Sequence, residues 1–109
     1  MPKKMTREEK TKMIKEVSED IKAGKVEGVQ AISVTGIPYS TFNQCFIAHQ
    51  LGPKGVYGGY RQWIANGRKV KKGEHGYSII LPMKKKDDED VTYFSSIAVF
   101  HFDQTEEVK

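Results

Sequence analysis

An α+β fold is predicted: about three helices packed on a small antiparallel sheet, in one domain. Three observations carry this reading. Apolar residues near the start recur at three- and four-residue steps, which is a helical period. Residues 77–81 and 91–103 are instead rich in β-branched and aromatic residues, as strands are. The chain has 109 residues, of which 38% are hydrophobic. That fills one core and leaves no room for a second domain.

Taken in order, Thr6 and Glu9 form a capping box ahead of Met13, Ile14, Val17 and Ile21, which make one apolar stripe. The first helix is expected from Arg7 to Ala23, with Gly24 as its stop. Residues 26–38 read as a loop or short extended piece, with Gln30, Ile32 and Val34 alternating. Ser40 is an N-cap for a second helix that buries Phe42, Phe46, Ile47 and Leu51 and ends at Gly52-Pro53. Gly55, Gly58 and Gly59 read as a pliable loop before a short helix over 60–65, stopped by Asn66-Gly67. Arg68 to Glu74 reads as a tight basic turn. A buried strand over 77–81 is expected to close at Pro82, and residues 84–90 form a polar hairpin tip. The last strand, 91–103, is apolar on both faces and so is expected to be central or covered. Trp63, Phe42, Phe46, Phe100 and Phe102 are assigned to the core.

Charge is unevenly placed. The net charge is +4, which excludes an acidic DNA mimic and permits a nucleic-acid binder. Residues 53–86 carry nine Lys/Arg against Glu74 alone, a local net of +8, whereas residues 87–109 carry seven acids against Lys109. Tyr57, Tyr60, Trp63 and Tyr77 lie inside the basic segment. Cations that track phosphates, interleaved with rings that stack on unpaired bases, are what a single strand requires.

Catalytic patterns are missing. His49, His75 and His101 have no second ligand at metal spacing, and neither HExxH nor CxxC occurs. The acidic run at 87–90 lacks the alternation and glycine of a calcium loop. No P-loop spacing occurs, and no nucleophile has an evident His–acid partner. The expectation is a non-enzyme with no cofactor and no metal. One cysteine, Cys45, excludes an internal disulfide. No apolar run approaches the roughly 18 residues of a membrane span, so no membrane association and a cytoplasmic location are expected.

Three ordered blocks carry a family resemblance. Tyr39-Ser40-Thr41-Phe42-Asn43-Gln44 with Ile47-Ala48-His49-Gln50 resembles a YS-x-x-N-Q … IA-x-Q opening. Gly59-Tyr60-Arg61-Gln62-Trp63, then Gly67-Arg68-Lys69-Val70-Lys71-Lys72-Gly73-Glu74-His75-Gly76, then Ile79-Ile80-Leu81-Pro82 resembles a GYR-x-W … GR-x-V-x-KGE-x-G … IL-x-P core. Val99 to Glu106 is similar to a VF-x-V-x-QTE ending. Together they resemble the N-terminal domain of the ArdC antirestriction family, with residues 39–109 as its core and residues 1–38 as a helix and linker of the same domain. The resemblance implies single-stranded DNA binding for a mobile element, whether a conjugative plasmid or a phage. The domain is also found in some plasmid primases. In ArdC itself a metallopeptidase-like domain with HExxH follows. The chain is therefore expected to be a free-standing binding domain or a fragment, and a separate metallopeptidase-like or primase domain is a candidate partner.

The two readings meet on one segment. Arg61, Arg68, Lys69, Lys71 and Lys72 are candidate phosphate contacts, and Tyr60 and Tyr77 are candidate stacking residues, with Tyr57 behind them. Asn43, Gln44, Gln50 and Gln104 are candidates for hydrogen bonds to DNA backbone or bases. Asn43 and Gln50 could equally brace the turn after Gly73. Two other classes stay open. One is a protein-interaction module working through the acidic end, and the other is an accessory subunit of a separately encoded enzyme.

Overall fold

The computed structural model describes residues 6–25, 31–85 and 88–108. Residues 26–30 of the expected linker and residues 86 and 87 of the hairpin tip lie outside them. The order is α1 (Arg7–Lys22), β1 (Ala31–Ser33), α2 (Thr41–His49), β2 (Gly55–Gly58), α3 (Tyr60–Ala65), β3 (Arg68–Val70), β4 (Tyr77–Lys85), β5 (Asp88–His101), a 3-10 turn (Phe102–Gln104) and β6 (Thr105–Glu107). The class is α+β, with three helices in a single domain. The main sheet runs β1-β2-β5-β4, and β3 and β6 form a second, two-stranded sheet.

The sheet is mixed rather than purely antiparallel. β1 and β2 pair in parallel because α2 carries the chain back between them. β1 also has the opposite phase to the Ile32/Val34 alternation: Ala31 is fully buried and Ile32 is exposed. The expected pliable loop at 55–58 is a strand inside the sheet. Its glycines serve close approach, and Gly55, at φ 140°, also takes a backbone angle that favours glycine. A Cβ at Gly58 would lie 2.9 Å from Val34 Cγ1, and one at Gly55 would lie 2.5 Å from His101 Nε2. His101 uses that space to reach the Lys54 carbonyl at 2.8 Å, while its Nδ1 accepts from the Asp103 N–H at 3.0 Å. This pair of bonds assigns the Nε2–H tautomer.

Local rules hold at the helix ends. The Thr6/Glu9 capping box and the Ser40 cap are both formed. Gly24 and Gly67 follow α1 and α3 with positive φ, as helix stops do. α2 ends sooner than expected, at His49. Leu51 takes φ 62° and stands 89% exposed, so it is not on the buried face.

Two apolar clusters lie on either side of β4. Ile79 joins Ala31, Ile47, Tyr57, Tyr77 and Val99. Ile80 joins Val17, Cys45 and Phe46, with Met13, Ile14, Ile21 and Phe42 packed against them. Successive strand residues point to opposite faces, so one strand serves both clusters. α2 does the same through Phe46 and Ile47. β4 is an edge strand and continues through Pro82 instead of closing there. Pro82 shares parity with Ser78 and Ile80, whose N–H groups point away from β5. Its missing donor therefore costs no ladder bond. β5 lies between β2 and β4, the central position expected for it.

Candidate nucleic-acid interface

Four amides from the sequence reading have distinct local duties. Asn43, on α2, is buried. Its Nδ2 donates to the Ile80 carbonyl at 3.0 Å and its Oδ1 accepts from the Ile80 N–H at 2.8 Å. Gln50 repeats the pattern two residues along the strand, donating to the Ser78 carbonyl and accepting from the Ser78 N–H, each at 2.8 Å. The two amides stand in for a neighbouring strand and close the outer edge of β4. They therefore brace β4 itself and not the turn after Gly73, and they leave the set of candidate DNA contacts. Gln104 is buried: it accepts from the His101 N–H at 2.8 Å and donates to the His75 carbonyl at 2.8 Å and to Glu74 at 3.1 Å. It ties the 74–76 turn to the end of β5 and leaves the set too. Gln44 donates to the Tyr39 carbonyl at 2.8 Å, fixing the entry to α2.

The tyrosines divide by burial. Tyr57 is fully buried and Tyr77 nearly so, with their rings edge-to-face at 5.7 Å. Burial first, and then its two tyrosine neighbours, pushes the Tyr57 hydroxyl well above its ordinary range. Burial, then Glu74, pushes Tyr77 up. Neither ring face can meet a base, so Tyr77 is withdrawn as a stacking residue, and Tyr57 with it. Tyr60, at the start of α3, is 56% exposed and remains. Phe102 is the reverse case. It was assigned to the core and is 45% exposed, because the chain leaves β5 at His101 for a 3-10 turn and breaks the strand parity.

The cations lie along the second sheet. Arg68 and Lys69 are on β3, and Lys71 and Lys72 are in the turn that follows. The basic stretch is half strand and half turn. β6 pairs with β3 so that Arg68 faces Glu107 and Lys69 faces Glu106. The Lys69 ammonium is 3.7 Å from the Glu106 carboxylate, and Lys71 donates to the Asp103 carbonyl at 3.2 Å. The acidic end is thus folded against the basic segment, and the local +8 is partly neutralised. Arg68 donates through Nε to Thr105 Oγ1 at 2.8 Å and through Nη2 to the Thr105 carbonyl at 3.1 Å. Its Cζ sits 4.1 Å from the Phe102 ring centre. Among the described residues, no hydrogen bond or ion pair engages the exposed Arg61 and Lys72 side chains. α3, which carries Tyr60 and Arg61, packs on β3. Trp63, on the same helix, is buried as expected and donates to the Phe100 carbonyl at 2.9 Å.

β3 and the turn after it thus carry Arg68, Lys69, Lys71 and Lys72, with α3 packed on β3; as successive strand residues, Arg68 and Lys69 point to opposite faces of the ribbon. Phe102 and Thr105 belong to that edge and were not foreseen. The polar run Asp103-Gln104-Thr105-Glu106 after the apolar strand was the one sign that the strand parity ends there.

A cavity of about 600 Å³ lies elsewhere, lined by Asp20, Lys25, Cys45, His49 and Leu51 among others. Burial, then the Asp20 charge, pushes the Cys45 thiol up, so it is not an activated nucleophile. Among the described residues no group of three His, Cys, Asp or Glu side chains is placed to hold a metal ion. No helix among them is long and apolar enough to cross a membrane.

Fold and edge together define a small α+β domain with Arg68 and Lys69 on a two-stranded β-ribbon, Lys71 and Lys72 in the turn after β3, and a short helix packed beside it. The chain belongs to the family of the N-terminal domain of the anti-restriction factor ArdC, whose sequence pattern matches residues 4–109. Its fold is similar to two crystal structures of the antirestriction ArdC protein from the R388 plasmid. The metal-free form has a TM-score of 0.59 at 19% identity, over 89% of this chain and 41% of that one. The Mn(II)-bound form has a TM-score of 0.63 at 19% identity, over 91% of this chain and 40% of that one. The chain thus spans about two-fifths of their length. No match was found among curated proteins.

Proposed function

We propose that this domain binds single-stranded DNA with little sequence preference, in the service of antirestriction or transfer of a mobile element, and that it is a binding unit with no catalysis of its own. The observation that carries the reading is the edge formed by α3, β3 and the turn after it. There α3 carries the exposed Tyr60 and Arg61, β3 and its turn carry the exposed Lys69, Lys71 and Lys72, and the exposed Phe102 ring lies against Arg68. Membership of an antirestriction family supports the biological setting. A docking role for the acidic end is weakened, because Glu106 is already engaged by Lys69.

Fluorescence anisotropy with a labelled single strand and the matching duplex tests the proposal. Four neutralised phosphates predict a slope of log K on log salt near −3, by the roughly −0.7 per contact of single strands. Equal affinity for duplex and single strand would remove the proposal.

A further inference from the structure

Arg68 differs from the other cations of its edge in being locked. Thr105 holds two of its five N–H donors, at 2.8 and 3.1 Å. The Thr105 hydroxyl spends its own proton on the Phe102 carbonyl at 2.6 Å, so its lone pairs are left for Arg68 Nε. One guanidinium face lies on the Phe102 ring at 4.1 Å. Phe102 in turn meets the Trp63 ring at 6.1 Å and 62°, and the Trp63 N–H is fixed on Phe100. Every layer from Trp63 to Arg68 is thereby held in place, while Phe102 keeps nearly half its surface in water.

The Nε–Nη2 side of the fork, which would grip a phosphate bidentately, is already committed to Thr105, and charge alone is supplied as well by a lysine such as Lys72. A locked planar cation offers something a lysine lacks, which is a flat surface on which a base can stack. With Phe102 on one side and Thr105 holding Nε and Nη2, the face away from Phe102 and the Nη1 group of half-buried Arg68 carry no partner among the described residues.

We propose that Arg68, backed by Phe102, is a base-stacking platform and not a phosphate clamp, and that discrimination between single-stranded and duplex DNA resides there. The inference rests on the single-strand reading above. In a duplex both faces of every internal base are covered by neighbours, so only an unpaired strand can present a face to Arg68. Base–aromatic stacking is also tolerant of sequence, since every base has a π-face.

The test uses the full chain, a labelled oligothymidylate and an abasic oligonucleotide of equal length, which keeps the phosphates and removes the bases. Arg68→Lys retains the charge and loses the plane. It is expected to weaken oligothymidylate binding roughly tenfold with the salt slope unchanged, and to leave abasic binding as in the wild type. Trp63 is the sole tryptophan, so its emission is expected to respond to oligothymidylate and not to the abasic strand. This arm uses the unaltered protein and stands even if a variant misfolds. Wild-type affinity of Arg68→Lys for oligothymidylate would overturn the platform and leave single-strand binding intact. Equal wild-type affinity for the abasic strand would do the same. If the wild type binds neither strand, the single-strand reading itself falls and the platform with it.

Discussion

Two edges of this molecule carry polar side chains in similar abundance and use them in opposite ways. At the α2–β4 edge, Asn43 and Gln50 spend their amides on the backbone of Ile80 and Ser78. At the β3–β6 edge, Lys69, Lys71 and Lys72 keep their charges in water, checked only by a cross-strand glutamate and a backbone carbonyl. The first edge has the outward backbone groups of Ser78 and Ile80 satisfied from within, and the second is the one proposed to meet a polyanion. A polar residue in a family-like motif is therefore not evidence of a ligand until its partners are counted. An amide can satisfy a sheet edge completely, whereas a lysine has no acceptor capacity and seeks charge elsewhere.

The sharpest way to break this contrast is to unseal the closed edge. Asn43→Ala leaves a buried N–H and C=O of Ile80 without partners. It should cost about 2–3 kcal/mol, lowering Tm by roughly 10 °C in a domain of this size. Gln50→Ala should act in the same direction, and thermal unfolding followed by circular dichroism reads both. Affinity for single-stranded DNA, measured well below the lowered Tm, should stay at the wild-type value. A loss of affinity in the folded variant would return Asn43 to the interface.

Alkali attacks the closed side next. Tyr39, Tyr57 and Tyr77 all have hydroxyls raised above the ordinary tyrosine value, by burial in each case. A group whose folded value is raised contributes its full stability below the unfolded value and loses it above. Stability should therefore hold up to about pH 10 and fall beyond it, as the unfolded chain ionises first. Urea midpoints measured at pH 8 and pH 11 check this, and an unchanged midpoint would contradict the burial of these rings.

On the open side the effects are smaller and fall on binding. Lys72→Gln should leave Tm unmoved and lower single-strand affinity a few-fold. It should also reduce the salt slope by about 0.7, as read by anisotropy across a salt series. Smallest of all, Glu106→Gln frees Lys69 from its exposed ion pair. Affinity should rise about twofold, the size of a typical surface pair, and a fall would mean that Glu106 supports the edge instead of opposing it.

Much of the fold was legible because its signals are local. The capping box at Thr6, the Ser40 cap and the glycine stops at 24 and 67 depend on neighbours within one turn, and they hold. What was not legible depends on distant partners. The 55–58 strand reads as a loop because Gly55, Gly58 and the following Gly59 mark it, yet Gly55 admits His101 and Gly58 admits Val34 and Trp63. β6 is three residues long and is a strand only because β3 lies beside it. In the interface the cations were visible as a run of like charge, but the fate of each ring was not. Tyr77 and Phe102 exchange their expected places: Tyr77 is buried by partners distant in sequence, Ala31, Ile47 and Tyr57 among them, and Phe102 leaves the strand parity where β5 ends, marked locally by no more than the polar run that follows it.

The central claim is that the open edge binds unpaired DNA through a small number of phosphate contacts. It is tested most directly by single-strand affinity titrated against salt, with the matching duplex alongside. Tighter binding of the single strand and a slope near −3 are expected, as four contacts require. A slope near zero, or duplex bound as tightly as the single strand, would contradict it.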